Sequence, residues 1–407
     1  MATLEDARRL ILGKVRTLGT ESVDLLHSQG LVTAEDIVAP FDMPVSDNSA
    51  MDGFAIRMDD LLSSSTLRVS GTITAGSTAI YELQPGCAIK IMTGGLMPAR
   101  ADAVVPFENA VSNGEYVTFK KPVEKHQHIR FAGSDIKTGE VVISARTVIR
   151  APEISIMAAL GKTHVKVFRR PRVAILSTGD ELLEIGQPVT PGKVIDSSGV
   201  ALAALVTECG AAAELLGIAR DTEASHVEKM TRGLAADIFI TTAGVSVGER
   251  DLVRHILKDL GMVQVFHSVD VRPGGPTTFG VREKCLVFCL PGNPVASMLI
   301  FDELVKAAIL KTMGYCRIHQ PFMRAVLQDE VSKRPGRVKL LRVRVESHDG
   351  KLLAFSSGEQ ETGKMKTLLR ANAIAVIPAA CGSVRAGTEV DVRMMSNNEL
   401  MKAEEEQ

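Results

Sequence analysis

Five acidic side chains and one small-residue loop carry most of the chemistry that this 407-residue sequence offers. Asp180, Glu181, Asp221, Glu249 and Asp251 each stand just beyond a Val/Ile-rich run, where a strand would hand over to a loop. Hard carboxylate oxygens gathered on one rim suit Mg²⁺ bound beside a phosphate. A helix N-cap or first-turn acid, favoured by the helix dipole, explains any one of them taken singly. The loop Thr242-Ala243-Gly244-Val245-Ser246-Val247-Gly248 precedes a helix. Such a loop lets backbone N–H groups approach a phosphate at a positive helix end, although a plain strand-to-helix turn has the same spacing. It matches neither GxxxxGK[ST] nor GxGxxG. Ser177-Thr178-Gly179 and Pro291-Gly292-Asn293-Pro294 close two further apolar runs.

Other chemistries find less support. His126-x-His128 has the spacing of a strand-borne metal pair but sits in a Lys-rich turn without an obvious third ligand. There is no HExxH and no GxSxG. None of the six Cys falls in CxxC spacing. Cys285 and Cys289 share one face of an apolar strand pattern, which reads as buried thiols rather than a metal or redox pair. Free thiols fit a reducing cytoplasm.

The elements that must position these residues can be read from texture. From 171 to about 315, strands rich in Val and Ile alternate with amphipathic helices: RVAILST, SSGVALAALVTECG, AELLGIARD, SHVEKMTRGLAA, DIFITTAG, DLVRHILKDLG, CLVFCLPG, NPVASMLIFDELVKAAIL. That pattern predicts a parallel sheet covered on both faces, with ligands outside the carboxyl ends of its strands. The acids, the loop and the PGNP turn would then share one edge.

Residues 1–39 read as helices, LEDARRLILGKV and then VDLLHSQG, joined by 147–170 as a helical domain. Residues 40–146 read as a small β domain, 171–317 as the α/β domain, 318–395 as a C-terminal barrel or sandwich and 396–407 as a charged tail. The fold class is α/β multidomain.

Composition narrows the function. Lys+Arg 47 against Asp+Glu 48 argues against a general nucleic-acid or membrane-surface binder. The absence of Trp and the three Tyr disfavour a base-stacking platform. No uncharged apolar run reaches the ~18 residues of a membrane helix, and MATLEDARRL lacks the apolar region of a secretory leader.

Seven motifs in one order resemble the MoeA/gephyrin E-domain family, the molybdopterin molybdenumtransferases: SAMDGFA, KIMTGG, STGDEL, VIDSS, TTAGVSVGERD, RPGGPTTFG and LPGNPVAS. The resemblance runs from about residue 5 to about 395. It implies a homodimer of four-domain chains, with a molybdopterin-binding α/β domain facing the β domain of the partner chain. It implies insertion of molybdate into adenylylated molybdopterin with release of AMP, assisted by Mg²⁺. It also points to the molybdopterin adenylyltransferase of the preceding step as a partner.

Carried over residue by residue, the resemblance makes Asp52, Glu181, Asp221 and Asp251 catalytic, and Asp52, Glu181 and Asp221 metal ligands. It assigns substrate binding to Thr93, to Ser177 through Asp180, to Gly244, Ser246 and Gly248 of the loop, and to Arg272, Pro291, Gly292 and Asn293. Arg342 and Thr362 lie near positions where the family's C-terminal domain has an Arg and a Ser, with QETGKMK here in place of the family's QGS. The chain departs from many members at Ser198, Ala243 and Gly275, where an Asn, a Gly and a Lys are common. These departures leave a tungstate-handling paralogue and a non-catalytic molybdopterin-binding protein as the alternative readings.

Overall fold

A computed structural model describes residues 1–242 and 252–395 of the chain. The chain forms two compact units, one of Met1–Ala34, Arg146–Arg150 and His164 onward, the other of Glu35–Ala145 and Ala151–Thr163.

The first unit is built around a six-stranded sheet. Its strands are β1 (Arg172–Thr178), β2 (Ala212–Ala219), β3 (Ile238–Thr242), β4 (Val263–Phe266), β5 (Thr278–Arg282) and β6 (Cys285–Leu290), in the order β2-β1-β3-β6-β5-β4. The first four are parallel, as the strand–helix alternation predicts. β5 and β4 extend the sheet antiparallel, because a short reversal returns the chain beside β6 without a crossover helix. The alternation of apolar and helical runs does not announce this edge pair.

Helices α1 (Ser197–Glu208), α2 (Glu223–Gly233), α3 (Leu252–Asp259) and α4 (Pro294–Ile300) connect the strands. The run that opens with α4 is helical through Thr312, with a π-helical stretch at Phe301–Val305. Ala174, Leu176, Phe239, Val287 and Cys289 from the sheet pack on Met230, Leu234, Val253, Ile256 and Leu257 from the helices. Central strands buried on both faces must be apolar throughout, which is why β6 reads CLVFCL. Cys285 and Cys289 lie in that core as buried thiols.

The C-terminal strands β7 (Met323–Leu327), β8 (Val338–His348), β9 (Lys351–Ser356), β10 (Ala373–Ile377) and β11 (Glu389–Met394) close into a five-stranded barrel. The ring runs β8-β9-β7-β11-β10 and back to β8. Closure removes the unpaired edges of so small a sheet. Leu341, Val343, Val345, Ala375 and Val392 fill its interior.

The helical reading of the first 39 residues needs correction. Leu4–Lys14 is a helix, capped by Thr3 Oγ1 accepting from Asp6 N. VDLLHSQG is not: Thr20–Asp24 is a strand paired antiparallel with His164–Phe168, and only Leu25–His27 makes a helical turn. The short segment has weak intrinsic preference, so long-range pairing that aligns Val23 with the buried Val165 decides its conformation.

The second unit is a six-stranded sheet in the order Ala103–Pro106, Gly53–Ile56, Cys87–Ile91, Thr66–Ile73, Tyr116–Phe119, Ala110–Ser112. Phe54, Ile56, Leu67, Val105 and Val117 pack on one face, and Ala55, Ile73, Ile89 and Val104 on the other. Ala151–Ala159 is a helix with Pro152 in its first turn, as read from sequence.

Candidate active site

Parallel register places Thr178, Ala219, Thr242 and Leu290 at one edge of the sheet, so the segments after β1, β2, β3 and β6 share that edge. A cleft of about 380 Å³ opens there. Thr178, Glu181, Gly292, Asn293 and Thr362 line it, five residues nominated from sequence. Asp196, Ser197, Ser198 and Thr242 complete the sheet side, and Gly363 and Met365 join Thr362 on the barrel side.

Two helices begin at this cleft. α1 is capped by Asp196, whose Oδ1 accepts from Gly199 N at 3.0 Å. α4 is capped by Asn293, whose Oδ1 accepts from Ala296 N at 3.2 Å, with Pro294 in the first turn. Ser198 Oγ donates to the Gly292 carbonyl at 3.1 Å and so ties the two helix starts together. Converging N-termini place two positive dipole ends on one opening, a setting that favours phosphate. Asn293 is therefore both a cap and a wall of the cleft.

Glu181 is shaped by its neighbours. Gly179 has φ +139°, and a Cβ there would stand 2.3 Å from Glu181 Oε2. Only glycine lets the carboxylate fold back over that turn. Among the described residues the Glu181 carboxylate has no hydrogen-bond partner in the cleft. Asp180 and Asp221 bridge the neighbouring loops reciprocally, Asp180 N to Asp221 Oδ2 at 3.4 Å and Asp221 N to Asp180 Oδ1 at 3.2 Å. The Arg220 guanidinium donates to the Leu182 carbonyl at 2.8 Å, and Lys193 Nζ to the Asp180 carbonyl at 2.7 Å. Neither Asp180 nor Asp221 caps a helix, so the simplest non-functional account of these acids does not apply; Thr222 caps α2 instead.

Ser177 lies under the cleft floor with its hydroxyl buried and without a partner. A Cβ on Gly199 would come within 2.8 Å of that Oγ, so the first turn of α1 closes on β1 only through glycine. Thr178 Oγ1 donates to the Thr242 carbonyl at 3.0 Å and joins the ends of two adjacent strands.

Arg342 stands behind the barrel-side wall. It is fully buried, with Nη2 donating to the carbonyls of Glu359 and Glu361 at 3.3 Å each. Burial pushes its guanidinium below the ordinary value, and its Nε and Nη1 have no partner. Arg272 does not line the cleft; it pairs with Lys339 in a short parallel ladder beside the barrel. Pro291 precedes the lining residue Gly292.

Asp52 and Thr93 belong to the second unit and meet there. Thr93 donates from its backbone N at 2.7 Å and its Oγ1 at 2.9 Å to Asp52 Oδ1. These two bonds, the backbone one first, hold the Asp52 carboxyl below its ordinary value. Gly244, Ser246, Gly248 and Asp251, with Ala243 and Glu249, lie outside the described residues, as does the 396–407 tail.

Among the described residues no three or more His, Cys, Asp or Glu side chains gather into a metal-holding group. Mg²⁺ does not require one, since it keeps several waters and takes one or two carboxylates together with substrate phosphates. An unpartnered Glu181 carboxylate beside two helix N-termini fits that mode.

Sequence reasoning passed over Asp196, Ser197 and Ser198 as site residues. They come directly after Val194–Ile195, a two-residue strand paired with Leu182–Leu183 outside the main sheet. Attention to the ends of the long strands alone missed that turn. Its signal was an Asp-Ser-Ser cap before an apolar helical run.

Similarity to known proteins covers nearly the whole chain. Residues 2–161 match the MoeA N-terminal region (domain I and II), 174–311 a probable molybdopterin binding domain, and 324–394 the MoeA C-terminal region (domain IV). A molybdopterin molybdenumtransferase of Nostoc sp. is 36% identical over 406 residues, covering 96% of this chain and 93% of the relative. One of Haemophilus influenzae is 33% identical over 397 residues, covering 96% and 98%. A crystal structure of a molybdopterin biosynthesis MoeA protein from Pyrococcus horikoshii superposes with a TM-score of 0.82 at 31% identity, covering 97% of this chain and all of that one.

Proposed function

We propose that this chain, which belongs to the MoeA family, is a molybdopterin molybdenumtransferase whose chemistry runs in the cleft at the carboxyl edge of β1, β3 and β6. Its substrates are adenylylated molybdopterin and molybdate. Water hydrolyses the phosphoanhydride joining the pterin phosphate to AMP, AMP leaves, and molybdate gives up an oxo ligand as water as its molybdenum binds the dithiolene sulfurs. The observation that carries this reading is the convergence of two helix N-termini and the Glu181 carboxylate on one opening.

Each part has a task that the reaction needs. Anhydride cleavage calls for positioning and charge stabilisation more than for covalent catalysis. The first turns of α1 and α4 present backbone N–H groups to substrate phosphates. Thr178 and Thr242 shape the floor on which the phosphates rest. Glu181, with Asp221 on the rim, would hold Mg²⁺, which supplies positive charge to the phosphate oxygens. Thr362 and Gly363 close the barrel side, and the buried Arg342 adds a fixed positive charge behind them. Asp52, held ionised by Thr93, acts on metal or attacking water from the β domain of a partner chain in a homodimer. By the resemblance, Gly244, Ser246 and Gly248 take part in phosphate binding and Asp251 in catalysis.

The same reading places the protein in the cytoplasm, beside the adenylyltransferase that makes its substrate, and divides the chain into an N-terminal helix-and-strand domain, a β domain, an α/β domain and a barrel domain. The test mixes purified protein, adenylylated molybdopterin and Mg²⁺ with and without molybdate and tracks free AMP. Molybdate-dependent release supports the transferase. Release only with tungstate, or tight binding of the adenylate with no release, replaces it by one of the two alternatives.

A further inference from the structure

The barrel-side wall of the cleft, Thr362, Gly363 and Met365, lies on the segment directly after β9. That segment has left the sheet. β8 and β9 pair from His348↔Lys351 down to Val343↔Ser356, and their ladder ends there. The next β8 residue, Arg342, keeps a bond from Ser357 N to its carbonyl at 3.2 Å. On the β9 side its own N–H meets no strand carbonyl, and a buried N–H must find an acceptor.

Gln360 supplies it. Gln360 Oε1 accepts from Arg342 N at 3.0 Å, while Gln360 Nε2 donates to the Arg342 carbonyl at 3.1 Å. Ser357 still donates to the Arg342 carbonyl, from its N at 3.2 Å and its Oγ at 3.0 Å, and the Gln360 amide oxygen stands where the Ser357 carbonyl would have accepted from Arg342 N. The same Nε2 lies 3.2 Å from Ser356 Oγ and 3.0 Å from the Gly358 carbonyl, so it also fixes the start of the segment. On either side of Gln360, the carbonyls of Glu359 and Glu361 accept from Arg342 Nη2. The segment is therefore pinned to one β8 residue through both main chain and side chain, two residues before Thr362.

We propose that Gln360 is the positioning residue of the cleft's barrel-side wall: its amide, docked on the Arg342 main chain, sets where Thr362 and Gly363 stand and so sets substrate affinity. This rests on reading the cleft as the substrate site. Gln360 touches no reacting atom, so its effect falls on binding rather than on the chemical step.

Gln360→Met in the full chain keeps length and volume and removes every amide bond. The expected result is a KM for adenylylated molybdopterin raised about tenfold with kcat within about twofold, the size of one lost buried hydrogen bond. Backbone hydrogen exchange should rise at Arg342 and over 357–365 and stay unchanged in β7, β10, β11 and the rest of β8. An unchanged KM overturns the proposal. So does faster exchange throughout the barrel, which would assign the effect to general loosening. If the unaltered protein releases no AMP, the assigned reaction fails, and the exchange pattern alone then decides the positioning claim.

Discussion

Asp52 and Thr93, 41 positions apart, share one carboxylate oxygen: Asp52 Oδ1 accepts from both the backbone N and the Oγ1 of Thr93. The second oxygen stays available for a metal or a water. Because hydrogen bonds to the charged form favour it, Asp52 remains ionised as pH falls past the ordinary 3.8. Thr93→Val removes the hydroxyl and keeps the backbone donor. Its Asp52 midpoint should move up toward 3.8 without reaching it, read by carboxyl-carbon NMR titration. Asp52→Ala should abolish turnover while the thermal transition is retained; an active Ala variant would remove Asp52 from the mechanism.

Gly179→Ala should act through Glu181. The added Cβ meets the end of a flexible carboxylate rather than backbone, so the side chain gives way. The φ of +139° adds a backbone penalty of about 1–3 kcal/mol. AMP release should fall at least ~10-fold, as expected for a misplaced group that must meet the substrate, with only a small drop in melting temperature. Unaltered release would mean that the Glu181 position in the cleft does not matter.

The Arg169–Asp237 pair, bidentate at 3.0 and 2.8 Å, ties the start of β1 to the turn before β3. Burial works to raise the Asp237 pKa, but the bonds from Arg169 and Arg172 N outweigh it and leave a net lowering. A depressed folded-state pKa stabilises above the ordinary 3.8 and is lost as pH falls through the lowered value. Asp237→Asn should cost about 1–2 kcal/mol at pH 7, a charge-assisted bond discounted for partial exposure. The difference from the unaltered protein in urea midpoint should shrink as pH drops well below 3.8.

Thiol chemistry gives a test of the core. Burial pushes the Cys209 and Cys285 thiols up to about 12, and Cys289 is fully enclosed. Cys316 and Cys381 are exposed. A chromogenic disulfide should label those two quickly in the native protein, Cys87 more slowly, and Cys209, Cys285 and Cys289 only on unfolding. Fast labelling of Cys285 or Cys289 would contradict the packing of β6.

Much of this arrangement is legible in the amino-acid sequence. The period of Val/Ile runs and amphipathic helices gave the parallel part of the sheet, and from it the shared edge that gathers Thr178, Glu181, Gly292 and Asn293. Periodicity reports burial and spacing, so it could not see β5 and β4 turning back antiparallel, nor Thr20–Asp24 leaving a helical reading for a distant strand. Asp52 and Thr93 were singled out only by resemblance, because a bond across 41 residues leaves no local signature. Gln360 was invisible for the same reason: only the end of the β8–β9 ladder shows what its amide replaces.

The most direct test of the account is AMP release by the unaltered protein and Glu181→Gln side by side, with adenylylated molybdopterin and Mg²⁺, with and without molybdate. The account predicts molybdate-dependent release by the unaltered protein, and binding of the adenylate without release by the variant. Equal release by both, or release by neither with molybdate present, would contradict it.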